Sequence, residues 1–171
     1  ASLGDQAIAL QADVEDAVAV QQMVKDAAQA FGAITTVVHN ALADYSFNGD
    51  ARATIENLSS AEILNQHRTA VLGALNIIQA TSPAMAEAQF GRIINIGTNL
   101  VQNPVVPYHD YTSAKAALLA LTRTTAAELG PNGITVNMVS GGLLRTTDAS
   151  AATPPEVFDY IAGVTPLRSV T

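Results

Sequence analysis

The sequence contains no cysteine and no tryptophan. Without cysteine there is no disulfide, no thiolate metal site and no cysteine nucleophile. Charged residues are only 13% of the 171 positions and aromatics 5%. Eight Lys and Arg against fifteen Asp and Glu give a formal charge of −7, and the basic residues do not cluster. That pattern argues against nucleic acid and anionic membrane as partners, since both need concentrated positive charge. No apolar run approaches the roughly 20 residues of a membrane span, and no charged-then-apolar leader opens the chain. The compartment is left open by these absences, with the cytoplasm as the default expectation. The histidines, His39, His67 and His109, lack ligand spacing, so no metal site is expected.

What is present is a strongly apolar composition, 49%, in a length suited to one domain with a sizeable core. Ala7–Ala12 reads as a short strand. Asp13 then suits the N-cap of a helix with Asp16 at its third position. That helix carries Val14, Ala17, Val18, Gln21, Val24 and Ala28 at helical spacing and stops at Phe31-Gly32. Ile34–His39 is a β-branched run, read as a buried strand. It ends in Asn40-Ala41-Leu42, before a polar loop through Asn48-Gly49-Asp50. Ser59 and Glu62 form a capping box opening a helix to about Ala88. Pro83 is expected to kink that helix or end its regular part.

Gly91–Thr98 is the next strand, and Tyr111–Leu129 the next helix, stopped by Gly130-Pro131-Asn132-Gly133. Ile134–Val139 is a fourth strand, running into Gly141-Gly142, and a short helix near Pro155–Ala162 follows. Strands alternating with helices imply a parallel sheet of right-handed βαβ units. Ligands bind such sheets beyond the carboxyl ends of the strands. Asp13, Asn40, Thr98 and Gly142 all fall at those ends.

One of the chain's two lysines, Lys115, lies four residues after Tyr111 on the same predicted helix. Positions i and i+4 stack on one helix face. An ammonium beside a phenol favours the phenolate and is expected to lower the tyrosine pKa. A tyrosine so placed can act as general acid. Thr98 offers a hydroxyl to hold a substrate oxygen beside it. The plainer alternative is a helix-edge tyrosine with a solvated lysine. Likewise Asp13 reads equally as a simple helix cap, Asn40 as a turn residue, and Gly141-Gly142 as a flexible turn. His109 is expected to line the loop before Tyr111.

Taken together, the chain resembles the short-chain dehydrogenase/reductase family. The matching blocks are Leu-Gln-Ala-Asp-Val at 10–14, Val-Val-His-Asn-Ala at 37–41 and Gly-Arg-Ile-Ile-Asn-Ile-Gly-Thr at 91–98. Tyr-Thr-Ser-Ala-Lys-Ala-Ala at 111–117 and Val-Asn-Met-Val-Ser-Gly-Gly at 136–142 complete the set. They keep family order and spacing. The third block, with Leu-Leu-Arg-Thr-Thr at 143–147, is most similar to the 3-oxoacyl-acyl-carrier-protein reductase group. The resemblance implies an α/β fold with a Rossmann-type doubly wound parallel sheet, residues 1–171 being one partial NAD(P)-binding domain. It implies an oxidoreductase that reduces a carbonyl to an alcohol with NADP or NAD as cofactor. Tyr111 would be the acid/base, Lys115 its modulator and ribose ligand, and Thr98 the carbonyl-orienting hydroxyl. Asp13 and Val14 would lie against adenine, Asn40 and Ala41 behind the adenosine, and Gly142 and Thr146 near the nicotinamide. The substrate would be a small-molecule or acyl-thioester carbonyl. The alanine-rich faces of the helices at 60–88 and 111–129 suggest a homodimer or homotetramer, or else plain packing on the sheet.

The departures are specific. Leu42 replaces a family glycine, Gly141 a proline, and Thr98 a serine. The helix asparagine of the family's proton relay falls on Ala70. Asn76 lies about 240° round the helix from the residue it would have to replace. None of the eleven glycines forms a phosphate-binding turn, the feature that places backbone N–H groups on a pyrophosphate. Asp13 follows what resembles the third strand, so it is not the residue that selects NAD. With family strand order, the first strand here would sit at a far edge, and the closing strand is absent. The expectation is therefore a sheet incomplete at both ends and a piece of a longer enzyme. A non-catalytic cofactor-sensing or scaffold relative is the alternative, motivated by Ala70, Leu42 and Gly141.

Overall fold

The computed structural model describes residues 4–43, 52–145, 147, 150–151 and 153–170. Among the described residues, three strands form one parallel sheet in the order β1 (Thr36–His39), β2 (Gly91–Thr98), β3 (Ile134–Gly141). Thr36 aligns with Arg92, and Gly91 with Ile134, so all three carboxyl ends point the same way. The helices are α1 (Ala17–Phe31), α2 (Ser60–His67), α3 (Gly73–Glu87), α4 (His109–Leu129) and α5 (Pro155–Val164). None among the described residues is long and apolar enough to cross a membrane.

The sheet builds in rows. Val37, Ile93 and Val136 are register partners, so their side chains share one face. That row packs against Ile78 and Met85 of α3 and Ala126 and Leu129 of α4, forming the apolar core. Two residues toward the carboxyl ends, on the same face, comes the row His39, Asn95, Met138. The core thus changes from apolar to polar just below the strand ends. On the opposite face Val38 and Val139 are more than half exposed. Among the described residues, helices cover one side of the sheet, which is part of a doubly wound layer.

Several local expectations change in three dimensions. Ala7–Ala12 forms no strand, because an extended segment becomes one only when another strand pairs with it, and β1 pairs only with β2 among the described residues. The N-cap of α1 is Asp16, whose Oδ1 accepts from Val18 N at 2.8 Å and Ala19 N at 3.1 Å. Asp13 instead closes a small turn, accepting from Glu15 N at 2.9 Å. The capping box at Ser59 and Glu62 is present in both directions. Its long helix is broken elsewhere than expected: a π-helical turn at Arg68–Leu72 separates α2 from α3, whereas α3 runs through Pro83 to Glu87. Such single π turns widen a helix locally and shift the residues after them.

Gly133, after the 3₁₀ turn that ends α4, has φ 72°, and a Cβ there would lie 2.1 Å from the Gln89 carbonyl oxygen. Only glycine fits where the chain turns from α4 into β3. The polar loop through Asn48-Gly49-Asp50 lies outside the described residues.

Candidate active site

Thr98 is the last residue of β2 and Tyr111 stands in the first turn of α4. The turn between them begins with a 3₁₀ segment that Thr98 caps, its Oγ1 accepting from Leu100 N at 3.3 Å. Tyr111 packs with Tyr108, Leu100 and Val106. This brings the two hydroxyls near enough for that of Thr98 to favour the Tyr111 phenolate. Both residues are buried.

Lys115 is one turn further along α4 and is only 4% exposed. Its Nζ donates to the Ile96 carbonyl at 2.7 Å and lies 5.8 Å from the centre of the Tyr111 ring. Burial lowers its pKa from 10.5 to about 8, because the ammonium has lost most of its water. At neutral pH it remains mostly charged. The Tyr111 phenol is pushed up, since burial outweighs the hydrogen bond from Thr98. That corrects the expectation of a phenol already lowered by its lysine. The candidate acid at rest is a firmly protonated phenol, the form that a proton donor needs.

The elements around the pair are tied to it by polar contacts that the sequence did not reveal. Arg52 forms an ion pair with the buried Asp110, the residue before Tyr111, tethering the segment after the loop to the start of α4. Asn95 donates to Thr122 Oγ1 at 2.9 Å, linking β2 to α4. Asn76, as expected, does not join the candidate catalytic residues, and its amide donates instead to the Val14 carbonyl at 2.8 Å. Ala70 falls inside the π-helical turn, and its carbonyl lies 3.3 Å from His39 Nε2. His39 is 2% exposed at the end of β1. Its place in the Val-Val-His-Asn-Ala block is the one sequence signal that pointed to it.

Of the candidate cofactor residues, Asn40 and Ala41 follow the carboxyl end of β1, Gly142 follows that of β3, and Asp13 and Val14 precede α1. Asp13, Asn40 and Gly142 are exposed, and Val14 and Ala41 are half-buried. Thr146 lies outside the described residues. The donor set suits the sugar and base portions of a dinucleotide: a phenol and an ammonium for ribose hydroxyls, and an exposed carboxylate and amide further along. No described residue offers a glycine-rich nest for a pyrophosphate. His109 lines an open, mainly apolar cleft of about 600 Å³ with Val101, Pro104, Val105, Tyr108 and Thr112. The cleft lies beside the candidate catalytic residues, not over them, since neither Tyr111 nor Thr98 lines it.

Residues 1–171 match the family model described as enoyl-(acyl carrier protein) reductase. The 3-oxoacyl-acyl-carrier-protein reductase FabG of Staphylococcus aureus is 31% identical over 167 residues, 96% of this chain and 64% of that protein. A gluconate 5-dehydrogenase from Burkholderia cenocepacia, solved with NADP and tartrate, superposes with a TM-score of 0.82 at 23% identity. The match covers 94% of this chain and 61% of that one. An NAD⁺-bound xylitol dehydrogenase superposes with a TM-score of 0.78 at 26% identity, over 92% of this chain and 65% of the other. The chain thus spans less than two thirds of the length of each of these relatives.

Proposed function

The chain belongs to the short-chain dehydrogenase/reductase family, and from that membership we propose that it reduces a carbonyl to an alcohol with a reduced nicotinamide cofactor. The observation that carries this is the Thr98–Tyr111 hydroxyl pair with the buried Lys115 ammonium behind it. A substrate carbonyl oxygen would bind beside both hydroxyls. The cofactor, when bound, supplies a hydride to the carbonyl carbon. Tyr111 gives its phenolic proton to the oxygen as negative charge develops there, so one hydride and one proton convert C=O to CH–OH. Lys115 stabilises the phenolate left behind. Thr98 orients the oxygen, and burial of all three keeps water from competing for it.

The substrate class is a 3-oxoacyl thioester, by likeness to FabG. Tyr111 and Lys115 would hold the nicotinamide ribose, Gly142 and Thr146 the ring side, Asn40 and Ala41 the adenosine, and Asp13 and Val14 the adenine. The cofactor would be NADP or NAD, both of which are held by structurally similar dehydrogenases. We place the protein in the cytoplasm, in fatty acid biosynthesis, with 1–171 as a single partial NAD(P)-binding domain. It would associate with copies of itself as a dimer or tetramer. Leu64, Leu72 and Leu75, all at least a third exposed on the α2–α3 helical segment, support that association. A cofactor sensor has no chemical need for the Tyr111–Lys115 pair, so that alternative is not favoured.

The test is NADPH- and NADH-linked turnover of an acetoacetyl thioester by the purified protein and by Tyr111→Phe. Turnover should be lost in the variant while its cofactor affinity is retained. Undiminished turnover in Tyr111→Phe would refute the reading.

A further inference from the structure

Donors and acceptors beneath the active site do not balance until Lys115 is counted. Thr122 Oγ1 donates to the Leu118 carbonyl at 2.7 Å, so it must accept from Asn95. That fixes the Asn95 carboxamide with its NH₂ on Thr122 and its Oδ1 turned away. Oδ1 is buried and unpartnered. His39 is the register partner of Asn95 on the neighbouring strand and shares its face of the sheet. Its Nε2 lies 3.3 Å from the Ala70 carbonyl and, facing an acceptor, must carry the hydrogen. Burial and the nearby Lys115 charge keep the ring neutral by lowering its pKa, so Nδ1 is a bare lone pair. It too is buried without a partner.

Two buried acceptors therefore belong to register partners on one face of the sheet. An ammonium carries three N–H groups, and Lys115 spends one on Ile96, the residue next to Asn95. Unpaired buried acceptors are costly, and a cation is the strongest donor available to them.

We propose that His39 is a positioning residue for Lys115, its Nδ1 accepting an ammonium N–H directly or through one water that Asn95 Oδ1 also holds. His39 thereby keeps Lys115 charged and aimed at Tyr111. This occupies the place where Ala70 offers no side chain, with the Ala70 carbonyl anchoring the far edge of the ring. The inference rests on the reductase reading for its purpose but not for its test.

Two variants separate the ring nitrogens. Asparagine at 39 keeps a polar atom near the Nδ1 position and loses the reach to Ala70. Glutamine keeps the reach and loses Nδ1. The Lys115 pKa is read by NMR of ¹³C,¹⁵N-labelled lysine, with the exposed Lys25 as internal control. His39→Asn should leave it nearly unchanged. His39→Gln should lower it by about one to two units, the worth of one hydrogen bond to a charged group. The opposite ranking, or equal values in both variants, would overturn the proposal. Should either variant fail to fold, ¹⁵N-histidine spectra of the wild type decide. An Nε2–H tautomer whose Nδ1 signal moves as Lys115 titrates is expected, and an Nδ1–H tautomer refutes it. Neither spectrum needs turnover, so an inactive protein with these signatures would count against the reductase reading alone.

Discussion

Replacing Lys115 by methionine should abolish activity, and the stability of the variant relative to the wild type should fall as pH rises. Lys115 is 4% exposed, and its pKa drops from 10.5 to about 8 on folding. Between those values the unfolded chain binds a proton that the folded chain has released, so wild-type stability climbs with pH. Below about pH 7 both states are charged and the folded state bears the whole cost of the buried ammonium. A difference of about 2.5 pH units corresponds to roughly 3 kcal/mol. At pH 10 the folded lysine is neutral and under about 1 kcal/mol of that cost remains. Methionine carries no such cost at any pH, but leaves the Ile96 carbonyl without its donor, which costs about 1–3 kcal/mol. That loss offsets much of the neutral-pH gain without depending on pH. The cleaner quantity is the change in the stability gap between variant and wild type. Urea unfolding at pH 7 and pH 10 should show the gap moving toward the wild type by about 2.5 kcal/mol. A gap independent of pH would mean that Lys115 titrates normally in the folded protein. The account of a desolvated ammonium would then be wrong.

Two further substitutions probe the site and the fold. Thr98→Val should cut kcat by about 100-fold, the scale of losing one aligned hydroxyl from a developing oxyanion. It should also cost about 1 kcal/mol through the lost cap on Leu100 N. Thr98→Ser should restore both, and a valine variant of wild-type rate would remove Thr98 from the chemistry. Gly133→Ala forces a Cβ against the Gln89 carbonyl at positive φ and should destabilise by about 3 kcal/mol or more. Gly130→Ala, where nothing lies within 4 Å, should be neutral or gain up to about 1 kcal/mol. Equal urea midpoints for the two would refute the steric argument.

The same contrast runs through the molecule. Features decided within a few residues were legible in the sequence. The capping box at Ser59 and Glu62, the stop at Phe31-Gly32, β2 and β3, and the end of α4 at Leu129 all followed from short-range pattern. So did the stacking of Tyr111 over Lys115, since four residues on a helix is one turn. Asp16 rather than Asp13 capping α1 was a miss of the same short range, because both residues are chemically fit and the chain's entry angle chooses between them.

Tertiary structure decided whatever depends on partners far along the chain. Ala7–Ala12 has the composition of a strand, but pairing makes a strand and composition cannot supply the neighbour. The break in the long helix lies at Ala70, in a turn packed beside His39 from 31 residues earlier, rather than at Pro83. The Tyr111 pKa moves up because burial depends on everything around the ring, whereas sequence spacing reveals only the lysine. His39 read as a scattered histidine until register set it beside Asn95 and left both with buried, unpaired acceptors. Sequence determined which chemical groups were available and which helix turn they shared. The sheet determined how deeply they are buried and which groups they meet, and those long-range facts set their protonation.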